Sequence, residues 1–125
     1  MWAEAIALIE RAERLHRQFF QLMESQAEGP AWQPPVDIFE TQENLSILIA
    51  LPGVVPAHIQ IALHTGMLTV AGERRMPAEF RAADIHRLEI PYGRFERRIE
   101  LPPGRFELDR QELTNGCLLL NLRKL

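Results

Sequence analysis

The period of the apolar residues divides the chain into two regions. Between residues 2 and 24 they recur at alternating spacings of three and four, as on one face of an amphipathic helix. No proline or glycine precedes Gly29, so a helix about 35 Å long is expected. This face either packs on its own domain or a second copy, or serves as an adhesive arm for other proteins or a membrane surface. It comprises Trp2, Ala5, Leu8, Ile9, Ala12, Leu15, Phe19, Phe20, Leu22 and Met23.

Residues 25–35 contain three of the nine prolines and no apolar period, which predicts a linker between an arm (1–24) and a body (36–125). From Val36 onward the period is two, as in β-strands. Turn signals at Thr65-Gly66 and Asn115-Gly116 separate such runs. The pattern predicts an all-β sandwich or barrel.

Two of these runs carry specific expectations. Residues 45–51 are apolar on both faces, so the strand should be covered on both sides. Residues 67–73 should place Leu68 and Val70 in the core.

The stretch between residues 76 and 90 is long for a hairpin loop. It contains Phe80, Ile85, Leu88 and Ile90, so it is not merely a solvated loop. Its residues 85–89 are expected to form a short projecting strand. Such a strand invites pairing with the sheet edge of another subunit.

A further strand lies between Pro91 and Pro102, with Phe95, Arg97, Ile99 and Leu101 on one face. Arg97 places a guanidinium on that otherwise apolar face. It either pairs with a carboxylate from elsewhere, which includes another subunit, or lies near a sheet edge and reaches water.

The ordered motifs of the body resemble the α-crystallin domain of bacterial small heat-shock proteins. The resemblance spans about residues 35–122. It is carried by Leu51-Pro52-Gly53-Val54, Pro56 with Ile59, Gly66-Met67-Leu68-Thr69-Val70-Ala71-Gly72-Glu73-Arg74, His86-Arg87 with Glu89, Pro91-Tyr92-Gly93-Arg94-Phe95, Leu101-Pro102 and Asn115-Gly116-Cys117-Leu118.

The resemblance implies an immunoglobulin-like β-sandwich of seven or eight strands and a homodimer formed by strand exchange. The exchanged strand would come from the loop at residues 76–90, and Arg97 would be a structural arginine at the interface, with Asp37 or Glu79 as its partner. The interface residues implied are Val36, Asp37, Ile38, Ile85, His86, Arg87, Leu88, Glu89 and Arg97.

The activity implied is that of an ATP-independent holdase, a stress-response chaperone that binds partly unfolded proteins and suppresses their aggregation. Its client-binding surfaces would be the arm and the groove between the strand at Ile59–Leu63 and the strand before Asn115. The residues implied are Trp2, Leu8, Leu15, Phe19, Leu22, Ile59, Ile61 and Leu63.

The sequence departs from the family pattern at Cys117, where the family has valine, and at its end. Family members usually continue into a tail with an Ile-x-Ile anchor, whereas Leu120 and Leu122, which have that spacing, should lie inside the last strand. A dimer or small oligomer is therefore expected. Two alternative functions remain: a non-catalytic adaptor that co-assembles with a longer relative or another chaperone, and a peripheral membrane stabiliser.

Composition narrows the function classes. The formal net charge of −3 argues against a nucleic-acid surface. The single cysteine fits a reducing compartment, and the N-terminus does not have the pattern of a signal peptide, so a cytoplasmic protein is expected. The scattered histidines lack metal-ligand spacing, and the serines lack a nucleophile elbow. We expect no metal, no cofactor and no enzymatic activity.

Overall fold

A computed structural model describes residues 31–125, which form seven strands in two antiparallel sheets. The four-stranded sheet has the order β1-β2-β7-β6 and the three-stranded sheet the order β3-β4-β5. The prediction of an all-β sandwich is confirmed. The predicted helix at residues 1–24 and most of the predicted linker lie outside the described residues. The strands are β1 (Val36–Glu40), β2 (Asn44–Ala50), β3 (Ile59–His64), β4 (Met67–Arg74), β5 (Gly93–Glu100), β6 (Phe106–Thr114) and β7 (Cys117–Lys124).

The core lies between the two sheets and follows the alternation of each strand. In β2 the buried residues Leu45, Ile47 and Ile49 alternate with half-buried ones. Their register partners on β7, which include Leu120 and Leu122, are buried as well, so the two central strands form a continuous apolar layer. The facing sheet contributes Ile61, Leu68, Val70, Phe95 and Ile99.

The expected place of Leu68 and Val70 in the core is confirmed, and Leu120 and Leu122 lie inside the last strand, as expected. On the opposite face of β2, Leu48 is half-buried and pairs in register with the half-buried Leu119. This outer face is therefore only partly covered.

Two short turns set the register of their hairpins. Thr65 and Gly66 have φ values of 47° and 75°, and Asn115 and Gly116 have φ values of 52° and 76°. Positive φ at both central residues defines the type I′ turn, whose twist matches that of the flanking strands. Both hairpins are where the sequence predicted them.

The end of the predicted linker contacts the sandwich. Trp32 forms an isolated parallel bridge with Phe95, and its ring lies 5.4 Å from the ring of Phe95. The Trp32 indole N–H donates to the carbonyl of Gly93 (3.3 Å), and the amide of Ala50 on β2 donates to the carbonyl of Pro35 (3.1 Å). Residues 32–35 therefore run from the edge of the three-stranded sheet at β5 to the β1-β2 side of the other sheet.

Residues 75–92, which we call the 75–92 segment, connect β4 to β5. They contain a 3-10 turn at Ala78–Phe80 and no strand. The short strand expected at residues 85–89 is thus absent from the single chain. A β-strand needs a neighbour for its backbone hydrogen bonds, and none of residues 31–125 pairs with this stretch.

Candidate interaction surfaces

The 75–92 segment displays large apolar side chains to solvent. Phe80, Ile85, Leu88 and Ile90 are each between 52% and 59% exposed. An ion pair joins Arg87 to Glu89 at 3.5 Å, but both side chains are at least 75% exposed, so it contributes little stability. An exposed apolar stretch without its own ladder is suited to pairing with another chain.

A second exposed surface lies at β1, one of the two outer strands of the four-stranded sheet. Val36 packs against the core, whereas Asp37, Ile38, Phe39 and Glu40 are exposed. Ile38 and Phe39 are 48% and 56% exposed. Among residues 31–125, β1 pairs only with β2, so the backbone groups on its other side form an open edge. We call this surface the β1 edge.

Arg97 lies on the inward side of β5, opposite Val70 of β4, and is half-exposed. Among residues 31–125 its side chain makes no hydrogen bond or ion pair, with Asp37, Glu79 or any other residue. Its surroundings include an open depression of about 320 Å³ lined by Ala31, Gln33, Glu96, Arg97 and Arg98. The half-exposed guanidinium therefore has no ion-pair partner among residues 31–125.

The outer strands β3 and β6 define a third surface. Because residues 32–35 connect the β5 side of one sheet to the β1 side of the other, β3 and β6 are the edges at the opposite side of the sandwich. Ile59 and Leu63 are half-buried there, as is Leu113 on β6. Ile61 is 3% exposed, so a client would reach it only if the sheets separated.

The sequence placed the strand before Asn115, which is β6, beside this groove, but it did not indicate which β6 residues contribute. Leu108 and Leu113 both point toward the core, although they are five positions apart and should lie on opposite faces of a regular strand. A bulge between Leu108 and Arg110 shifts the alternation by one residue. The odd spacing of Leu108 and Leu113 was the feature of the sequence that could have indicated the bulge.

The remaining predicted site residues stand as follows. His86, Arg87 and Glu89 lie on the exposed 75–92 segment. Trp2, Leu8, Leu15, Phe19 and Leu22 lie outside the described residues.

Other chemistry receives no support within residues 31–125. In this range no three His, Cys, Asp or Glu side chains are grouped so that they could hold a metal ion. In the same range no helix is both long enough and apolar enough to cross a membrane. Cys117 is a half-buried free thiol at the start of β7, opposite Ala50 and Thr114.

Comparison with known proteins gives consistent matches. The Hsp20/alpha crystallin family matches residues 37–125. The 22.0 kDa heat shock protein of Arabidopsis thaliana is 37% identical over 92 residues, which make up 72% of this chain and 47% of that protein. This chain spans about half the length of the curated relatives it matches.

Solved structures match the same region. The hspA from Xanthomonas axonopodis is 29% identical with a TM-score of 0.65, over 76% of this chain and 96% of that chain. A small heat-shock protein from Xylella fastidiosa is 30% identical with a TM-score of 0.64, over 76% of this chain and 88% of that chain.

The family match covers most of the chain, and the ordered motifs that suggested the resemblance occupy the strands and turns of the same two-sheet sandwich. The chain therefore belongs to the Hsp20/alpha crystallin family of small heat-shock proteins.

Proposed function

We propose that this protein is an ATP-independent holdase chaperone that binds partly unfolded proteins and suppresses their aggregation. The observation that carries the proposal is the exposure of large apolar side chains on the 75–92 segment and the β1 edge. Unfolding clients expose apolar area and unpaired backbone groups, and both can be covered by such surfaces.

We also propose that two copies associate by exchange of the 75–92 segment onto the β1 edge of the partner, so that these surfaces become open to a client when the subunits separate. The two surfaces complement each other, since one offers an apolar stretch without a ladder and the other an open edge with Ile38 and Phe39 exposed. A twofold arrangement forms each contact twice, because the same patches serve on both subunits.

The magnitudes favour an exchange that includes backbone hydrogen bonds. A fully buried large apolar side chain contributes about 1.5–3 kcal/mol, so a half-exposed one has roughly 1 kcal/mol left to gain. The six such side chains on each subunit would together give about 12 kcal/mol to a symmetric pair. Association costs about 4–15 kcal/mol, so side chains alone are marginal and the ladder along β1 must contribute.

The exchange would also change the surroundings of Arg97. Its half-exposed guanidinium has no ion-pair partner among residues 31–125, so a carboxylate supplied by a second subunit would give it a charge-assisted partner. Asp37 and Glu79 are both exposed, and either would be available for this role.

Cross-linking of two different cysteine variants tests the exchange. In a Cys117→Ser background, Phe39→Cys and Leu88→Cys proteins are mixed under mild oxidation. A disulfide that joins the two variants is expected, because the exchange brings the two positions onto neighbouring strands. Val55→Cys mixed with Leu88→Cys is the matched control, since Val55 is 48% exposed but lies outside both surfaces. Equal cross-linking of both mixtures would refute the exchange.

Suppression of client aggregation tests the holdase activity. We expect a Phe39→Ser or Leu88→Ser variant to delay heat-induced aggregation of a heat-labile enzyme less than the unchanged chain. Val55→Ser should match the unchanged chain, because it removes similar exposed area elsewhere. If all three variants behave alike, these surfaces do not hold the client.

The groove between β3 and β6 supports the adaptor function as a second candidate. Ile59, Leu63 and Leu113 are half-buried beside two strand edges that are open within residues 31–125. An apolar anchor peptide of the Ile-x-Ile type from a longer relative would fit between them. Backbone resonance shifts at Ile61 and Leu63 on titration with such a peptide would support co-assembly, and their absence at millimolar peptide would exclude it.

A further inference from the structure

Arg74, the last residue of β4, immediately precedes the 75–92 segment, and its side chain contacts the end of that segment and the turn after β2. Its Nε donates a hydrogen bond to the carbonyl of Pro52 at 2.6 Å, and its Nη1 donates to the carbonyl of Pro91 at 3.4 Å. Its guanidinium carbon lies 4.3 Å from the ring centre of Tyr92. One side chain therefore joins the start of the segment, its end and the turn after β2.

Three of the motifs that looked separate in the sequence meet at this guanidinium. They are Leu51-Pro52-Gly53, Gly72-Glu73-Arg74 and Pro91-Tyr92-Gly93. A Cβ atom added at Gly53 would lie 3.3 Å from Nη2 of Arg74, so glycine leaves the space in which the side chain crosses the turn.

The other side-chain contacts that the described residues show in this segment are local. Arg75 pairs with Glu73 and Arg87 pairs with Glu89, each two residues apart and exposed. Such pairs do not fix where a long segment leaves the sandwich and where it returns. The contacts of Arg74 do, because Pro52 and Pro91 are separated from it by 22 and 17 positions in the chain.

We propose that Arg74 is a positioning residue for subunit association: it holds the end of the 75–92 segment beside its start and so sets the direction in which the segment projects. The inference rests on the proposed exchange of this segment. Ordering a segment before it binds lowers the entropy lost on association. Loss of the Arg74 contacts should therefore weaken the dimer while the sandwich itself remains folded.

The chemistry of arginine suits this task. Its planar fork donates along two directions to two carbonyls while its face stacks on an aromatic ring. Lysine retains the charge but has a single ammonium on a flexible stem, so it cannot make all three contacts. Lysine would restore a role that depends only on charge, but it would not restore the three contacts of the guanidinium.

The test compares full-length Arg74→Gln, Arg74→Lys and Leu88→Ser with the unchanged chain. Sedimentation equilibrium measures the dissociation constant for subunit association. Thermal unfolding measures the stability of the sandwich, and hydrogen exchange measures the protection of the backbone amides of residues 75–92. For Arg74→Gln we expect a dissociation constant raised roughly tenfold and faster hydrogen exchange in the segment, because a segment that is less ordered beforehand loses more entropy on association. Arg74→Lys should restore little of either effect, and unfolding of β2 and β7 should be nearly unchanged.

The inference is overturned if Arg74→Gln associates as the unchanged chain does, if Arg74→Lys restores association completely, or if the sandwich loses stability in proportion to association. Leu88→Ser separates this failure from failure of the exchange. If Leu88→Ser weakens association and Arg74→Gln does not, the role of Arg74 alone is refuted. If Leu88→Ser leaves association unchanged, the exchange is refuted and the inference falls with it.

Discussion

Replacement of Gly72 by alanine should destabilise the sandwich through one steric conflict. Gly72 lies in β4 between Ile59 of β3 and Phe95 of β5. A Cβ atom at this position would be 1.9 Å from the carbonyl oxygen of His58 and 2.8 Å from Cζ of Phe95. Both distances are below those that real Cβ atoms show, so the neighbours must move.

The neighbours of Gly72 have little freedom to move. His58 ends the 3-10 turn Pro56–His58, whose next residue is the first of β3, and its contact is made by the backbone. Phe95 is 1% exposed and packs against Trp32. Overpacking typically costs about 1–3 kcal/mol, and we expect about 3 kcal/mol here because a backbone atom is involved. For a domain of this size, 1 kcal/mol lowers Tm by about 4–8 °C, so Tm should fall by roughly 12 °C or more.

The assay is thermal unfolding followed by circular dichroism, with Gly66→Ala as the matched control. At Gly66 a Cβ would meet nothing within 4 Å, but φ is +75°, so alanine there costs only the left-handed strain of about 1–2 kcal/mol. Gly72→Ala should therefore lose more stability than Gly66→Ala. The reasoning is refuted if Gly72→Ala unfolds within about 3 °C of the unchanged chain, or later than Gly66→Ala.

Three further substitutions test separate contacts. Trp32→Phe keeps the ring against Phe95 but removes the indole donor to Gly93, so calorimetry should show a loss of about 1 kcal/mol, and an unchanged Tm would contradict the contact. Arg97→Leu should leave the stability of the sandwich equal or higher, because the guanidinium has no ion-pair partner among residues 31–125, while sedimentation shows weaker association; the opposite pattern would mean that Arg97 supports its own chain. Asn121→Ala removes hydrogen bonds to Ser46 (3.1 Å) and Asn44 (3.4 Å), so urea unfolding should show a loss of about 1–2 kcal/mol, and a value near zero would indicate that water replaces both bonds.

The fold was predictable because local signals agree with one another. Runs of period two predicted β2 and β7 as strands, whose inward residues include Leu45, Ile47 and Leu120, and two positive-φ turns set the register of the hairpins. Each signal depends on residues that are close in sequence. Packing of the two sheets then decides which face of each strand is buried, and every second residue lies on that face.

The features that sequence reasoning missed depend on residues far apart in the chain. The bulge in β6 hides the common orientation of Leu108 and Leu113. The contact of Trp32 with Phe95 crosses 63 positions, and Arg74 reaches Pro52 across 22. The spacing of apolar residues along one strand does not indicate contacts between distant residues. Only the ordered set of motifs indicated that these residues belong to one domain.

The candidate surfaces were predicted in part. The sequence assigned apolar residues to the 75–92 segment, and the structure shows them exposed. No strand forms at residues 85–89, because none of residues 31–125 supplies the hydrogen-bond partners that a strand requires. Ile61 was expected to contact clients, yet its position between the sheets buries it.

The most direct test of the central claim is to heat a client enzyme with this protein at equimolar subunits and without nucleotide. Size exclusion coupled to light scattering then measures the mass of what remains soluble. The account predicts a soluble complex whose mass includes both proteins, together with a dimer or small oligomer of this protein when it is heated alone. A client that aggregates fully, with this protein eluting at its unheated mass, would contradict the proposed holdase function.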